Sequence, residues 1–157
     1  MSDEGYIENL TATDNLLKFL HQNNAVNFLV CDLKDEKIIN KLNFKNFKRK
    51  QNEMLFQIKA YQRLLRIIPD NNQPEKQQQI ALLLIQQGIH SALQIAAQTR
   101  KDFLGMCSGL FNENSPVNDK LSAALYQNAL EKRSVILIQY MNVLQNGEPH
   151  ISASRIN

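Results

Sequence analysis

The chain has 157 residues, of which 43% are apolar and 21% are charged, and its formal net charge is +3. This length gives room for one domain with a real core. No apolar run approaches the roughly 18–20 residues that span a bilayer, which excludes a transmembrane helix. The acidic N-terminus lacks the basic-then-apolar order of a secretory signal, so the sequence predicts synthesis in the cytoplasm.

The N-terminal third of the chain is weakly patterned. Residues 1–12 are acidic and are predicted to be flexible. A first helix is predicted to begin after Thr13 or Asp14, because both residue types are favourable N-caps. Residues 26–33 have the composition of a strand, but one such segment cannot build a sheet, so we expect a buried connector. Residues 35–50 mix apolar side chains with lysines and leave helix and loop open.

Two helices with clear limits are predicted in the middle of the chain. From Gln51, apolar residues recur every three or four positions as far as Pro69. That proline ends the helix because it disfavours the α conformation in the residue before it. After a polar loop, a second helix is predicted from Glu75 to Gln87. Gly88 suits the left-handed position that follows a helix end.

Two short helices then follow, each marked by an N-cap signal. Ser91 with Gln94 forms a capping box, in which each side chain can bond an unpaired amide of the first turn. Thr99 with Asp102 has the same spacing and predicts the start of the next helix. The two helices and the one before them therefore form a helix-turn-helix-like centre.

The last element is a long helix. Ser115 is predicted to cap it, with Pro116 at its first position and the helix running from Val117 to about Gln145. Its many apolar residues are expected to lie on one broad face. We therefore expect this helix to pack against the 52–68 helix and the 75–104 unit.

These elements predict an all-α fold, an irregular bundle of about six helices around the helix-turn-helix-like centre. The scarcity of glycine and proline, five and four residues, agrees with long helices. The predicted boundaries are a flexible N-terminus over 1–12, a single helical domain over 13–146 and a flexible tail over 147–157.

The residue types that carry chemistry are scattered along the sequence. His21, His90 and His150 have no carboxylate or thiol at the spacing of metal ligands on one helix face. Cys31 and Cys107 are far apart and are interpreted as half-buried thiols, with a disulfide as the alternative. We find no nucleophile turn and no phosphate-binding glycine loop. The sequence therefore predicts no enzyme, no cofactor and no metal site.

Charge is concentrated in one part of the chain. The window from Lys34 to Arg66 has ten basic and three acidic residues, a net charge of +7, whereas the remaining residues sum to −4. An uneven distribution of this kind points to a surface that recognises an acidic partner. The candidate interaction residues are Lys41, Lys45, Lys48, Arg49 and Lys50.

Two features favour nucleic acid as that partner. Phe44 and Phe47 lie among the lysines and could stack on bases, although we favour a solvated basic face with both rings in the core. The segment around Gly88 also has the outline of a helix-hairpin-helix, which binds phosphates through a glycine-x-glycine turn. Here the turn is Gly88-Ile89-His90, so the second glycine is missing.

The order of elements resembles a helical segment of the A components of insecticidal toxin complexes and related very large bacterial proteins. The similarity covers roughly residues 14 to 140. It consists of an extended phrase, a Tyr-Gln-Arg helix that ends in proline, an apolar helix, and a Gly-x-x-Ser-Ala turn. The matching residues are Tyr61-Gln62-Arg63, Pro69, Gly88, Ser91-Ala92, Ile95-Ala96 and Phe103.

This resemblance implies a structural or docking role in a toxin-complex-like or injection-type assembly, with a protein partner and no catalytic residue. It also implies export as part of that assembly, without a conventional signal. The alternatives left open are the nucleic-acid binder described above and a small immunity or regulatory protein with one tight partner.

Overall fold

The structure, a computed structural model, describes residues 3–69, 73–111 and 113–147. In these ranges the chain is helical and contains no strand, which confirms the predicted all-α class. A 3₁₀ turn, Lys48–Lys50, precedes the third helix. The α-helices are α1 (Asp3–Gln22), α2 (Glu36–Lys41), α3 (Gln51–Leu65), α4 (Pro74–Gln86), α5 (Ala92–Ala96), α6 (Arg100–Met106) and α7 (Ser115–Gly147).

The helices pack in two groups that share one apolar core. The first group is α1, α3 and α4, which pack against one another, and the second is α5 and α6, which pack on α7. The side chains buried between them form one cluster that extends from α1 to the middle of α7. Its largest fully buried apolar members are Phe19, Phe103, Leu16, Ile58, Leu64, Ile80, Leu84, Ile85, Ile95 and Leu125.

The first helix begins earlier than the sequence analysis places it. It starts at Asp3, so the prediction of a start after Thr13 or Asp14 is wrong. Residues 1–2 lie outside the described residues, as does the predicted tail from residue 148 onward.

The turn between α4 and α5 has the geometry that its sequence predicts. Gly88 is left-handed, with φ 82°. Its N–H donates to the carbonyl of Ile85 at 2.9 Å, and the N–H of Ile89 donates to the carbonyl of Leu84 at 3.0 Å. This pair of bonds is a Schellman motif, and it is completed by the burial of both Leu84 and Ile89. The helix end at Gly88 is therefore confirmed.

The N-cap predictions are confirmed for α5 and α6. The hydroxyl of Ser91 accepts from the N–H of Gln94 at 3.3 Å, and that of Thr99 accepts from the N–H of Asp102 at 3.1 Å. The side chain of Gln94 reaches back to the N–H of His90, one residue before the expected partner. Each of these short helices is thus stabilised at its start by its own side chains.

The cap of α7 is Asn114 and not Ser115, so that prediction is wrong. The side-chain oxygen of Asn114 accepts from the N–H of Val117 at 3.1 Å, and its carbonyl accepts from the N–H of Asn118 at 2.9 Å. Asparagine is at least as good an N-cap as serine. Capping by Asn114 moves Ser115 to the first helical position.

Buried amide side chains hold the segments that are not helical. Gln62 donates to the carbonyls of Phe28 and Cys31, both at 2.7 Å, and so fixes the 26–33 connector to α3. Asn23 donates to the carbonyl of Asn43 at 3.0 Å and accepts from its N–H at 2.7 Å. The connector contains no strand, as predicted, but the expectation that it is buried holds only for Phe28 and Leu33, since Leu29 and Val30 are exposed. The ambiguous 35–50 segment is tied to the end of α1.

Only the first part of α7 packs against the body. Tyr126 donates to the carbonyl of Gln98 at 2.8 Å, and Arg133 donates to the carbonyl of Ala96 at 3.2 Å. The last buried residue of α7 is Ala129. The prediction that the long helix packs against the 75–104 unit is confirmed for its first half, which packs on α5 and α6, but the second half extends beyond the body. This follows because α7 has 33 residues and is roughly 50 Å long, more than twice the length of α3.

Replacement of Asn118 tests the role of the buried amides. This side chain is 2% exposed, donates to the carbonyl of Cys107 at 2.9 Å and accepts from the N–H of Phe111 at 3.3 Å. We expect Asn118→Ala to lower the free energy of unfolding by about 1–3 kcal/mol, because it leaves the buried N–H of Phe111 without a partner and removes one of the two bonds to the carbonyl of Cys107. Urea denaturation followed by circular dichroism measures the change.

The matched control is Asn142→Ala on the exposed part of the same helix. It should change the free energy of unfolding by less than about 0.5 kcal/mol. Equal losses in the two variants would contradict a specific role for Asn118.

Candidate functional site

The predicted basic residues form an exposed face at the start of α3. Lys41 ends α2, Lys45 lies in the following loop, and Lys48, Arg49 and Lys50 form the 3₁₀ turn that leads into α3. All five side chains are exposed, and none of them forms an ion pair with another described residue. We call this set the basic face. It is the sequence-predicted site, and of its members Lys48, Arg49 and Lys50 line one shallow depression with Asn46.

The aromatic residues among these lysines are turned into the core. The ring centroid of Phe19 lies 5.1 Å from that of Phe44 and 6.0 Å from that of Phe47. Asn46 between them has φ 74°, and this left-handed residue reverses the chain so that Phe47 points inward. Phe47 is buried and Phe44 is half-buried against the core, so both rings pack inward as the favoured interpretation predicts.

The Gly88 turn does not offer free amides to a phosphate. The N–H groups of Gly88 and Ile89 are bonded within the Schellman motif, and the N–H of His90 is bonded to the side chain of Gln94. The carbonyl of His90 accepts a hydrogen bond from Arg63 at 3.3 Å. The imidazole ring of His90 packs beside Phe56, with the ring centroids 5.4 Å apart. A phosphate-binding nest needs unpaired amides, so this turn is a structural connection to α3.

The titratable groups with shifted pKa values are held in their neutral forms. Burial raises the pKa of Cys107 to about 11 and that of Tyr61 to about 12, and it also raises the pKa of Cys31. Both cysteines are free thiols. A thiol with a raised pKa is a poor nucleophile and a poor metal ligand. Among the described residues, no three His, Cys, Asp or Glu side chains are grouped so that they could hold a metal ion.

The residues that carry the family resemblance have packing roles. Tyr61 lies edge-on to Phe28 with centroids 6.4 Å apart, Gln62 holds the connector, and Arg63 bonds the Gly88 turn. Phe103 is fully buried and stacks on Tyr126 at 5.9 Å. These side chains position backbone and neighbouring helices, and Tyr61 also lines a cavity between the end of α1, the connector and α4.

The most exposed apolar surface is on the second half of α7. Beyond Arg133 the helix continues for 14 residues, 134–147, and this segment contains no charged residue. We call it the arm. Seven of the thirteen large apolar side chains that are exposed in the described chain belong to it, with exposed fractions from 46% to 68%. They are Val135, Leu137, Ile138, Tyr140, Met141, Val143 and Leu144.

Two apolar stripes run along the arm. Ile136, Tyr140 and Val143 continue, at spacings of three and four, the face on which Leu125 and Ala129 are buried against the body. Leu137, Met141 and Leu144 form a second stripe beside the first. At 3.6 residues per turn the two stripes, with Ile138, occupy roughly 200° of the helix circumference. The opposite side has Gln139, Asn142 and Asn146 together with Val135, and two further polar residues, Ser134 and Gln145, lie between Met141 and Ile138.

The sequence analysis missed the arm, although the signal is present. The apolar residues of α7 were expected to lie on one broad face that packs against the body. A stripe that packs on one neighbour is about 100° wide, whereas the apolar residues of 134–147 are spread over about twice that angle. No other helix of the described chain exceeds 20 residues. The width of the apolar surface on α7, together with the length of the helix, indicates that α7 extends beyond the body.

Comparison with known proteins identifies no relative, so the functional proposal is argued from the geometry of the chain. No family model matches the chain, and neither a curated protein nor a solved structure is significantly similar to it. Within the described ranges, none of the helices combines the length and the apolar character needed to cross a membrane, α7 included.

His90 should make the fold sensitive to acid. Burial lowers the pKa of its imidazole below 6.5, and the nearby Arg63 cation lowers it further, so the unfolded chain binds the proton more tightly than the folded one. The stability that the neutral ring contributes is therefore present above pH 6.5 and is lost as the pH falls through the lowered value.

In His90→Gln, the thermal unfolding midpoint should fall less between about pH 7.5 and about pH 5 than it does in the unmodified protein. Differential scanning calorimetry across this range measures it. Identical pH dependence in the two proteins would contradict the assignment to His90.

Proposed function

We propose that the chain is a non-enzymatic helical interaction module that binds protein through its arm, as part of a bacterial toxin-complex-like or injection-type assembly. The observation that carries this proposal is the continuation of α7 beyond Arg133 as an uncharged, apolar and exposed helix. On this proposal the chain is made in the cytoplasm and leaves the cell only with the assembly.

The size of the apolar surface favours a protein partner. The seven exposed side chains of the arm present on the order of 700 Å² to solvent. The largest apolar patch on a monomeric protein is about 300–600 Å², and a stable interface buries about 800 Å² on each partner. The arm thus has the area of an interface and exceeds that of an ordinary monomer surface.

The internal packing supports the family resemblance that suggests the assembly. Tyr61, Gln62, Arg63, Gly88 and Ser91 all hold backbone or adjacent helices in place. Residues of this kind would be shared between segments with the same structural task. The buried, neutral thiols and Tyr61 agree with a role that involves no chemistry.

The basic face is a second contact region in this proposal. Its five exposed cations would pair with an acidic protein surface, which affects the rate and specificity of association more than its strength. Nucleic acid remains the alternative for this face. It is weaker because Phe44 and Phe47 are packed around Phe19 and the amides of the Gly88 turn are bonded.

An affinity capture from lysate of the native organism tests the assembly role. The bait is the full chain at about 0.15 M salt with nuclease present. We expect a large toxin-type or tail-type protein to be recovered, and at least about tenfold less of it with the triple variant L137Q/M141Q/L144Q, because central apolar contacts dominate interface energy.

The matched control is Q139A/N142A/N146A, which alters the polar side of the same arm and should capture as much as the unmodified chain. A parallel capture is run without nuclease. Recovery of nucleic acid in that capture, with no protein recovered in either one, would overturn the proposal in favour of the alternative.

The nucleic-acid alternative has its own test. In K45Q/K48Q/R49Q/K50Q, only non-specific contacts with phosphate should be lost, because the two rings among these residues, Phe44 and Phe47, are packed around Phe19. We expect the unmodified chain to bind a single-stranded oligonucleotide no more tightly than about 10 µM at 0.15 M salt, as measured by fluorescence anisotropy. Binding below about 0.1 µM that the variant abolishes would contradict the protein-binding interpretation of the basic face.

A further inference from the structure

We infer that the arm binds other copies of the same chain, and that arms from three or more copies pack into one helical bundle. This inference rests on the proposed function, which makes the arm a binding surface, and adds the identity of what covers it. The observation that carries it is the width of the apolar surface on residues 134–147.

The width decides the number of helices. One neighbouring helix covers a stripe of about 100°, whereas the apolar residues of the arm occupy about twice that angle. A partner helix on the Leu137–Met141–Leu144 stripe therefore leaves Ile136, Tyr140 and Val143 in water. Both stripes are covered only when each arm has two neighbours, which requires at least three helices.

The spacing of the second stripe is that of a bundle seam. Leu130, Ser134, Leu137, Met141 and Leu144 follow one another at intervals of four, three, four and three. This is the alternation that keeps a seam facing its neighbours in packed helices, with each side chain inserted between residues of the facing helix. Because the arms are identical, the same pattern is present on every member of the bundle.

The charge of the arm selects a copy of itself over other occupants. Residues 134–147 contain no Lys, Arg, His, Asp or Glu, so neighbouring arms do not repel one another, although the body of each copy is basic in part. A helix that lies on a lipid surface has Lys or Arg on its polar side. The side of this arm opposite the stripes instead carries the neutral residues Gln139, Asn142 and Asn146, with Val135 among them.

The base of the arm gives the bundle a fixed origin. Arg133 donates to the carbonyl of Ala96 at 3.2 Å, and Asn128 donates to the carbonyl of Ile67 at 2.8 Å. These bonds hold α7 to both groups of helices immediately before the arm begins. An arm that leaves the body in a defined direction loses less orientational freedom on association than a hinged one.

The mass of the purified full chain in solution tests the inference. By size-exclusion chromatography with light scattering at about 100 µM, we expect a species of at least three times the 18.0 kDa chain mass. In L137Q/M141Q/L144Q the mass should fall to that of one chain. The control Q139A/N142A/N146A should keep the mass of the unmodified protein.

Two measurements distinguish loss of association from loss of folding in the variant. Circular dichroism should show that the body of L137Q/M141Q/L144Q still unfolds cooperatively. The mass of the unmodified chain decides the question in any case. A single chain of 18.0 kDa overturns the inference, and so does a dimer, since it would leave one stripe of each arm uncovered.

The mass of the purified chain, read together with the capture experiment and a vesicle-binding measurement, distinguishes failure of this inference from failure of the proposed function. If the purified chain is monomeric but the arm still captures a toxin-type protein from lysate, the proposed function stands and the arm binds a different partner. If it is monomeric and the arm instead binds vesicles of phosphatidylcholine, a lipid surface covers it and both proposals fall. A monomer that does neither also overturns both.

Discussion

The fold depends on buried amide side chains that bind main-chain carbonyls at places where no helix does so. The body has long connections, and a buried carbonyl without a partner destabilises the folded state by about 1–3 kcal/mol. Gln62 supplies two such bonds to the 26–33 connector, and Asn118 supplies one to the carbonyl of Cys107, at the end of α6. Apolar packing makes the core favourable, but these amides determine how the connections lie over it.

On α7 the same type of bond joins the two groups of helices. The last four carbonyls of any helix lack partners within that helix. Side chains of α7 bind carbonyls next to the ends of three helices, namely Cys107 after α6, Gln98 after α5, and Ile67 after α3. The helix is therefore fixed along its first half by polar bonds as well as by Leu125 and Ala129. This fixation gives the arm a rigid base.

Much of the fold could be predicted because its signals are local. The Gly88 Schellman motif and the Ser91 and Thr99 caps each depend on a few adjacent residues, whereas α3 ends at Leu65, three residues before the predicted end at Ile68. The start of α1 and the cap of α7 could not be chosen in this way. At each of them several adjacent residues are acceptable caps or first-turn residues, and tertiary packing selects among them.

Of the two candidate surfaces, the basic face could be predicted from local sequence and the arm could not. The basic face was predictable because exposed lysines between buried aromatics follow from sequence order alone. The arm was not recognised because burial on α7 depends on how far α3, α5 and α6 extend beside it, which is a property of the assembled body. Apolar residues at helical spacing indicate that a face will be covered, but they do not indicate whether the same chain or another copy covers it.

The arm also links folding to assembly. An isolated helix of about 14 residues is marginal in water, and Val135, Ile136, Ile138 and Val143 lower its propensity further because β-branched side chains lose rotamer freedom in a helix. The anchored first half of α7 supplies the nucleus, so only propagation is required of the arm. Propagation alone leaves seven large apolar side chains in water, and their burial between chains is the one large favourable contribution that this segment still lacks. Helix formation over 134–147 and association with a partner should therefore stabilise each other, so that the arm is most ordered when it is bound.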